Sequence, residues 1–286
     1  MKKKIGVTGA SGFLGNVLVK KLIAEGYEVV VLSRSKKEFS AEVTVVTGDL
    51  LQPKSIDNFL KSVDTVIHLA ARQLPPEELF FRDNVSATNN LIERMLHFPI
   101  KHLIYLSTVV VYGEEGKKIH TEKDICLPTT VYAVTKYLSE IICQYWESKT
   151  KKILTILRPF NIYGKGNKKG VIYHMVKNIR QNKPIIIYGD GKQKRDFLYV
   201  DDVVEAILLA IKKEKKGIFN LGSGENLSLV ELVSLINNIC SQKVQVEYKN
   251  IEQEKVTSIA YTVGKAQTLL GWKPKVNIQE GLKELL

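Results

Sequence analysis

Ile5-Gly6-Val7-Thr8-Gly9-Ala10-Ser11-Gly12-Phe13-Leu14-Gly15 is the stretch on which the fold turns. Lys4–Thr8 is a short apolar run of strand type, and Leu14–Glu25 carries helical periodicity. The glycines of this G-x-x-G-x-x-G pattern, Gly9, Gly12 and Gly15, therefore stand at a strand-to-helix junction. Glycine there permits a tight turn and a close backbone approach, and the helix that follows offers free N–H groups and the positive end of its dipole. With Ser11, Phe13 and Leu14 between the glycines, the loop suits the pyrophosphate of a dinucleotide.

Outward from that loop, short apolar runs alternate with longer helical patterns. Strands are expected at Glu28–Leu32, Val43–Thr47, Thr65–Leu69, His102–Ser107 and Ile153–Arg158. Helices are expected at Ser55–Lys61, Val85–Leu96, Tyr132–Ser148, Ile172–Gln181, Val203–Lys212 and Leu229–Cys240. This rhythm predicts an α/β fold, a Rossmann-like, doubly wound parallel sheet with a smaller C-terminal lobe. The expected division is 1–162 for dinucleotide binding, with 196–222 returning to it, and 163–195 plus 223–286 as a substrate lobe.

A chain of 286 residues allows about two domains at ~150 residues each. With 44% apolar and 25% charged residues it can build a normal core, which excludes global disorder. The longest apolar runs, such as Val29–Leu32, fall far short of the ~20 residues that cross a bilayer. Met1-Lys2-Lys3-Lys4 is basic, but Gly6 and Thr8–Gly12 leave no apolar signal segment, so a cytoplasmic protein without membrane contact is expected. Cys126, Cys143 and Cys240 lack metal-ligand spacing, and free thiols with no metal are expected. The net charge of +12 favours anionic partners, but the lysines are scattered, which argues against nucleic acid.

Where the second strand ends, the adenosine ribose is expected. Val31-Leu32-Ser33-Arg34-Ser35 holds no acid to bind a free 2′-hydroxyl. Ser33 and Arg34, with Lys36 and Lys37 beyond, could hold a 2′-phosphate, so NAD(P) is the expected cofactor with NADP slightly favoured over NAD. Asp49, beside Leu50, could accept from the adenine amino group, or could only form an Asx turn before Pro53.

Tyr132-Ala133-Val134-Thr135-Lys136 places Tyr132 and Lys136 on one helix face. A neighbouring ammonium favours the phenolate, so Tyr132 could exchange a proton with a substrate oxygen while hydride moves. Leu106-Ser107-Thr108 ends the fifth strand at the same sheet edge as the glycine loop, and Thr108 offers a hydroxyl there, unless it only bonds backbone.

With these segments in place the chain resembles the extended short-chain dehydrogenase/reductases, in the NAD-dependent epimerase/dehydratase branch acting on nucleotide-sugars. The resemblance rests on Thr8–Gly15 (TGASGFLG), Val66–Ala71 (VIHLAA), Ser107–Gly113 (STVVVYG), Tyr132–Lys136 (YAVTK), Arg158–Gly164 (RPFNIYG), Gly189–Asp202 (GDGKQKRDFLYVDD), Asn220–Gly224 (NLGSG) and Leu270–Pro274 (LGWKP), in family order. It implies a catalytic set of Thr108, Tyr132 and Lys136. It also implies Leu69, Ala70, Ala71 and Pro159 beside the cofactor, with Tyr132 and Lys136 touching it as well. Thr108, Asn161 and Arg195 would face a nucleotide-diphosphate sugar, the last two on its diphosphate. For Arg195 the plainer role is an ion pair with Asp190 or Asp196. A homodimer is implied too, with helices Val85–Leu96 and Tyr132–Ser148 pairing across a four-helix contact and Leu138, Ile141, Ile142 and Tyr145 as its apolar stripe.

Two departures bear on activity. The family's 4,6-dehydratases carry Asp-Glu after the catalytic Thr, whereas Val109 and Val110 stand here, which argues against dehydration. No Arg appears in Glu254–Tyr261 to complete a diphosphate clamp, where Lys255 is the nearest substitute. The expected activity is thus C4 oxidoreduction of a nucleotide-sugar, foremost as an epimerase. An NADPH-dependent 4-ketoreductase is the alternative, and a non-catalytic NAD(P)-sensing protein the alternative of another class.

Overall fold

The computed structural model describes residues 3–35, 39–113, 119–240, 244–250 and 260–286. Seven parallel strands form the central sheet: β1 (Lys4–Thr8), β2 (Glu28–Ser33), β3 (Val43–Thr47), β4 (Thr65–His68), β5 (His102–Leu106), β6 (Ile153–Pro159) and β7 (Gly217–Leu221). Their spatial order is β7-β6-β5-β4-β1-β2-β3. Strand order reverses at β1, which lies between β2 and β4, and the carboxyl ends beside such a reversal are where open α/β sheets bind ligands.

The strands are apolar on both faces because helices cover both. Val29 and Val31 of β2 enter one core with Leu14, Leu18 and Leu22 of α1 (Phe13–Ala24). Val30 and Leu32 enter the opposite core. There they meet Phe59 of α2 (Asp57–Lys61), Leu91 and Ile92 of α3 (Ala87–Met95), and Trp146 of α4 (Val131–Thr150). This alternation is the period of two that a strand imposes.

Outside the sheet lie α5 (Gly170–Arg180), α6 (Val200–Lys213), α7 (Leu229–Ile239) and α8 (Ile278–Lys283). Helix α6 packs on α1. Ile185–Tyr188 pairs with Val246–Lys249, and Lys194–Asp196 with Asn226–Ser228. The Leu270–Pro274 segment is tied down when Trp272 Nε1 donates 2.8 Å to the Asp202 carbonyl.

One helix differs from expectation. The element expected over Val85–Leu96 starts earlier, as a π-helical turn over Phe81–Ser86 that runs into α3. The Asn84 carbonyl in that turn accepts from the Thr88 hydroxyl at 2.6 Å and the Ser139 hydroxyl at 3.3 Å. Side-chain donors on a helical carbonyl compete with the main-chain ladder, which widens here by one residue.

Candidate active site

The glycine loop is shaped by close backbone approach. Gly9 has a φ of +72°, and a Cβ on it would lie 2.6 Å from the Ala70 amide nitrogen; one on Gly15 would lie 2.7 Å from Ala10 Cα. Only glycine fits either position. Leu69 N donates to the Thr8 carbonyl at 3.2 Å, so Leu69–Ala71 runs against the loop. Gly12 caps α1 without a side-chain bond, and no acid stands in the first turn. The first-turn amides are thus left for an anion, with Ser11 exposed, Phe13 half-buried and Leu14 buried beside them. These features fit a dinucleotide pyrophosphate.

At the adenosine end, Gly48 N donates to the Ser33 carbonyl at 2.9 Å, which sets Asp49 and Leu50 next to the end of β2. Asp49 Oδ1 accepts from Leu51 N at 2.9 Å, so the Asx turn is present and engages one of its two oxygens. The Leu50 carbonyl accepts from Asn90 at 2.8 Å. The Ser33 hydroxyl donates to the Ser35 carbonyl at 2.7 Å, and Arg34 is exposed. Lys36 and Lys37 lie outside the described residues.

At the reacting end, Thr108 is buried at the mouth of β5, and its hydroxyl oxygen accepts from Val110 N at 3.4 Å. The neighbouring Ser107 hydroxyl is buried without a partner among the described residues. Helix α4 is capped by Thr130, which fixes its first turn and hence Tyr132. The Lys136 ammonium, 3% exposed, donates to the Leu106 carbonyl at 2.7 Å and sits 4.2 Å from the Tyr105 ring centre. Burial lowers its pKa to about 8. Burial pushes the Tyr132 phenol up. The expected lowering of that phenol by Lys136 is therefore corrected: in this structure the ammonium is turned to Leu106, and desolvation outweighs any help to the phenolate.

Sequence reasoning missed what surrounds this set. Gln73 Nε2 donates to the Tyr132 oxygen at 3.2 Å. Buried His68 bridges the Thr8 hydroxyl at 2.7 Å and the Thr88 hydroxyl at 3.0 Å. Desolvation, then the Lys136 charge, lowers its pKa to about 3, so it is a neutral brace. Glu140 of α4 grips Arg158 of β6 at 2.9 and 2.5 Å. Sequence spacing puts Glu140 one helical turn after Lys136, but does not point to Arg158 as its partner.

On the substrate side, Asn161 Nδ2 donates to the Asp196 carbonyl at 3.1 Å, joining it to the strand that carries Arg195. Arg195 Nε is buried without a partner among the described residues. The Asp196 carboxylate holds Ser223 N at 2.8 Å and Gly224 N at 3.0 Å, while Asp190 lies 3.5 Å from Lys192. Buried Pro159 pairs with Leu221 at the sheet edge. Lys255 lies outside the described residues.

Residues 5–222 match the sequence profile of the NAD dependent epimerase/dehydratase family. The chain belongs to that family. It is 30% identical to a UDP-glucuronate 4-epimerase of Thermodesulfobacterium geofontis, over 97% of this chain and 93% of that protein. It is 29% identical to the human dTDP-D-glucose 4,6-dehydratase, over 99% of this chain and 89% of that one. The crystal structure of UDP-glucuronic acid 4-epimerase from Bacillus cereus with UDP-glucuronic acid and NAD superposes with a TM-score of 0.90 at 26% identity, covering 98% of this chain and 97% of the other.

Proposed function

We propose that this chain is a nucleotide-sugar 4-epimerase that binds NAD(P) and works through Thr108, Tyr132 and Lys136. One observation carries the reading. The glycine loop, Leu69–Ala71, Thr108 and the start of α4 converge on the carboxyl ends of β1, β4 and β5, beside the reversal in strand order. The first-turn amides of α1 would hold the pyrophosphate, and Lys136 would reach the nicotinamide ribose by releasing Leu106. Bound nicotinamide supplies the acceptance and return of hydride that inverting C4 requires. Tyr132 takes the O4 proton and gives it back, while Thr108 donates to the same oxygen. Asn161 and Arg195, whose buried Nε has no partner among the described residues, would receive the sugar's diphosphate.

Dehydration is disfavoured although a dehydratase is among the relatives. Buried Val109 and half-buried Val110 have no proton to give or take. A slight preference for NADP, which a 4-ketoreductase would also need, rests on exposed Arg34 alone, because the Ser33 hydroxyl expected to share the 2′-phosphate already donates to the Ser35 carbonyl. Mass spectrometry of ligands that copurify with the protein tests the choice: retained NAD supports the epimerase, and an empty site that takes up NADPH favours the reductase.

Helices α3 and α4 pack side by side, with Ile141 and Tyr145 of α4 45% and 50% exposed. A second copy covering that stripe would form the four-helix contact, and sedimentation at micromolar concentration should then give a dimer. Three free thiols suit a reducing cytoplasm.

A further inference from the structure

The reacting phenol has a hydrogen-bond partner outside the Thr108–Tyr132–Lys136 set, the exposed Gln73, and the fold fixes the residue before it. Arg72 is held at three points. Its amide donates to Asn84 Oδ1 at 2.7 Å, its carbonyl accepts from Asn84 Nδ2 at 3.1 Å, and its Nε donates to Asp83 Oδ2 at 2.5 Å. Asn84, 1% exposed in the π-helical turn, also donates to Thr135 Oγ1 at 3.0 Å. One buried amide thus grips both the segment after β4 and the helix that carries Tyr132 and Lys136. The next residue along that segment is Gln73, whose Nε2 reaches the Tyr132 oxygen at 3.2 Å.

We infer that Gln73 is a positioning residue for the proton transfer, holding the Tyr132 oxygen in place and favouring its phenolate form. This rests on the proposed role of Tyr132 as the group that takes the O4 proton: the sugar O4–H bond breaks and its proton passes to the phenolate oxygen as C4 gives up hydride to the bound cofactor, and the proton returns to O4 when the hydride returns to C4. A carboxamide suits the position because it donates to that oxygen without competing for the proton. Lys136 does not supply this contact while its ammonium lies on Leu106. Burial works against the phenolate and the Gln73 donor works for it.

The test is a titration of the full chain carrying [13Cζ]-tyrosine, followed by NMR between pH 6 and 11 without and with saturating NAD. The Tyr132 resonance is assigned by its loss in Tyr132→Phe. A donor to a phenolate that is partly open to water corresponds to about one pKa unit. Gln73→Leu should therefore raise the Tyr132 midpoint by about one unit, and Gln73→Glu should raise it further by placing a like charge there. The alkaline-shifted limb of the activity profile should follow. An unchanged or lowered midpoint in Gln73→Leu overturns the inference, since an amide accepting from the phenol would favour the neutral form. So does a Tyr132 that stays protonated to pH 11 in the natural chain under both conditions. The midpoint needs no sugar, so a shift in a protein that interconverts no nucleotide-sugar would sink the proposed reaction and leave the Gln73 contact standing.

Discussion

Replacing Glu140 with Gln should cost this protein more than any surface ion pair could. Glu140 and Arg158 meet through two hydrogen bonds, 2.9 and 2.5 Å long, with side-chain exposures of 0% and 2%. The guanidinium also lies 4.8 Å from the Tyr112 ring centre, and its Nη1 is buried without a partner among the described residues. Glu140→Gln leaves the Arg158 charge buried and uncompensated, which costs about 3–5 kcal/mol, against about 0–1 kcal/mol for an exposed pair. At about 2–4 °C per kcal/mol for a chain of this size, Tm should fall by roughly 6–20 °C. The effect also reaches the site. Glu140 is one turn from Lys136 and its charge helps keep that ammonium protonated, so its loss lowers the Lys136 pKa further below about 8. Thermal and urea unfolding followed by circular dichroism give the stability change. The double variant Glu140→Leu/Arg158→Met removes both charges and should recover most of the loss. A single variant within about 1 kcal/mol of the natural protein, or a double variant as unstable as the single, would refute the reasoning.

Gly9→Ala puts a Cβ 2.6 Å from the Ala70 amide at a φ of +72°, so NADH binding followed by fluorescence should be lost; affinity within threefold of natural contradicts the loop geometry. His68, with a folded pKa of about 3 below its ordinary 6.5, favours the native state fully above pH 6.5 and progressively less as pH falls toward 3, by about 1.4 kcal/mol per unit. His68→Gln should flatten the pH dependence of urea stability between pH 6.5 and 4.5 by about that slope, and an unchanged slope means His68 titrates normally. If Arg34 holds a 2′-phosphate, Arg34→Ala should reduce the ratio of NADP to NAD affinity by roughly tenfold, and an unmoved ratio removes Arg34 from the pocket.

Six of the seven sheet strands were legible because each is a short apolar run, and the helices between them carry the spacing that covers both faces; Gly217–Leu221 was foreseen only as part of a segment returning to the sheet. Strand boundaries such as Lys4–Thr8 and Val43–Thr47 match the structure to the residue, and each ends at a glycine, Gly9 or Gly48. The Phe81–Ser86 turn was not legible. Nothing in Arg82-Asp83-Asn84 shows that an amide will bond across space to Arg72 and Thr135, contacts separated by 12 and 51 residues. Gln73 was hidden for the same reason: its partner Tyr132 lies 59 residues away. The spacing of Tyr132 and Lys136 placed them on one face, but not the direction of the ammonium, which burial and the Leu106 carbonyl decide.

Incubating the natural protein with NAD and UDP-glucuronic acid or UDP-glucose, and following the sugar by proton NMR, tests the proposed 4-epimerase activity most directly. The expected result is the C4 epimer of at least one of the two, at constant total cofactor, with the rate reduced by about 100-fold or more in Tyr132→Phe. A 4-keto-6-deoxy product, stoichiometric consumption of NADPH with a 4-keto sugar, or full activity in Tyr132→Phe would contradict it.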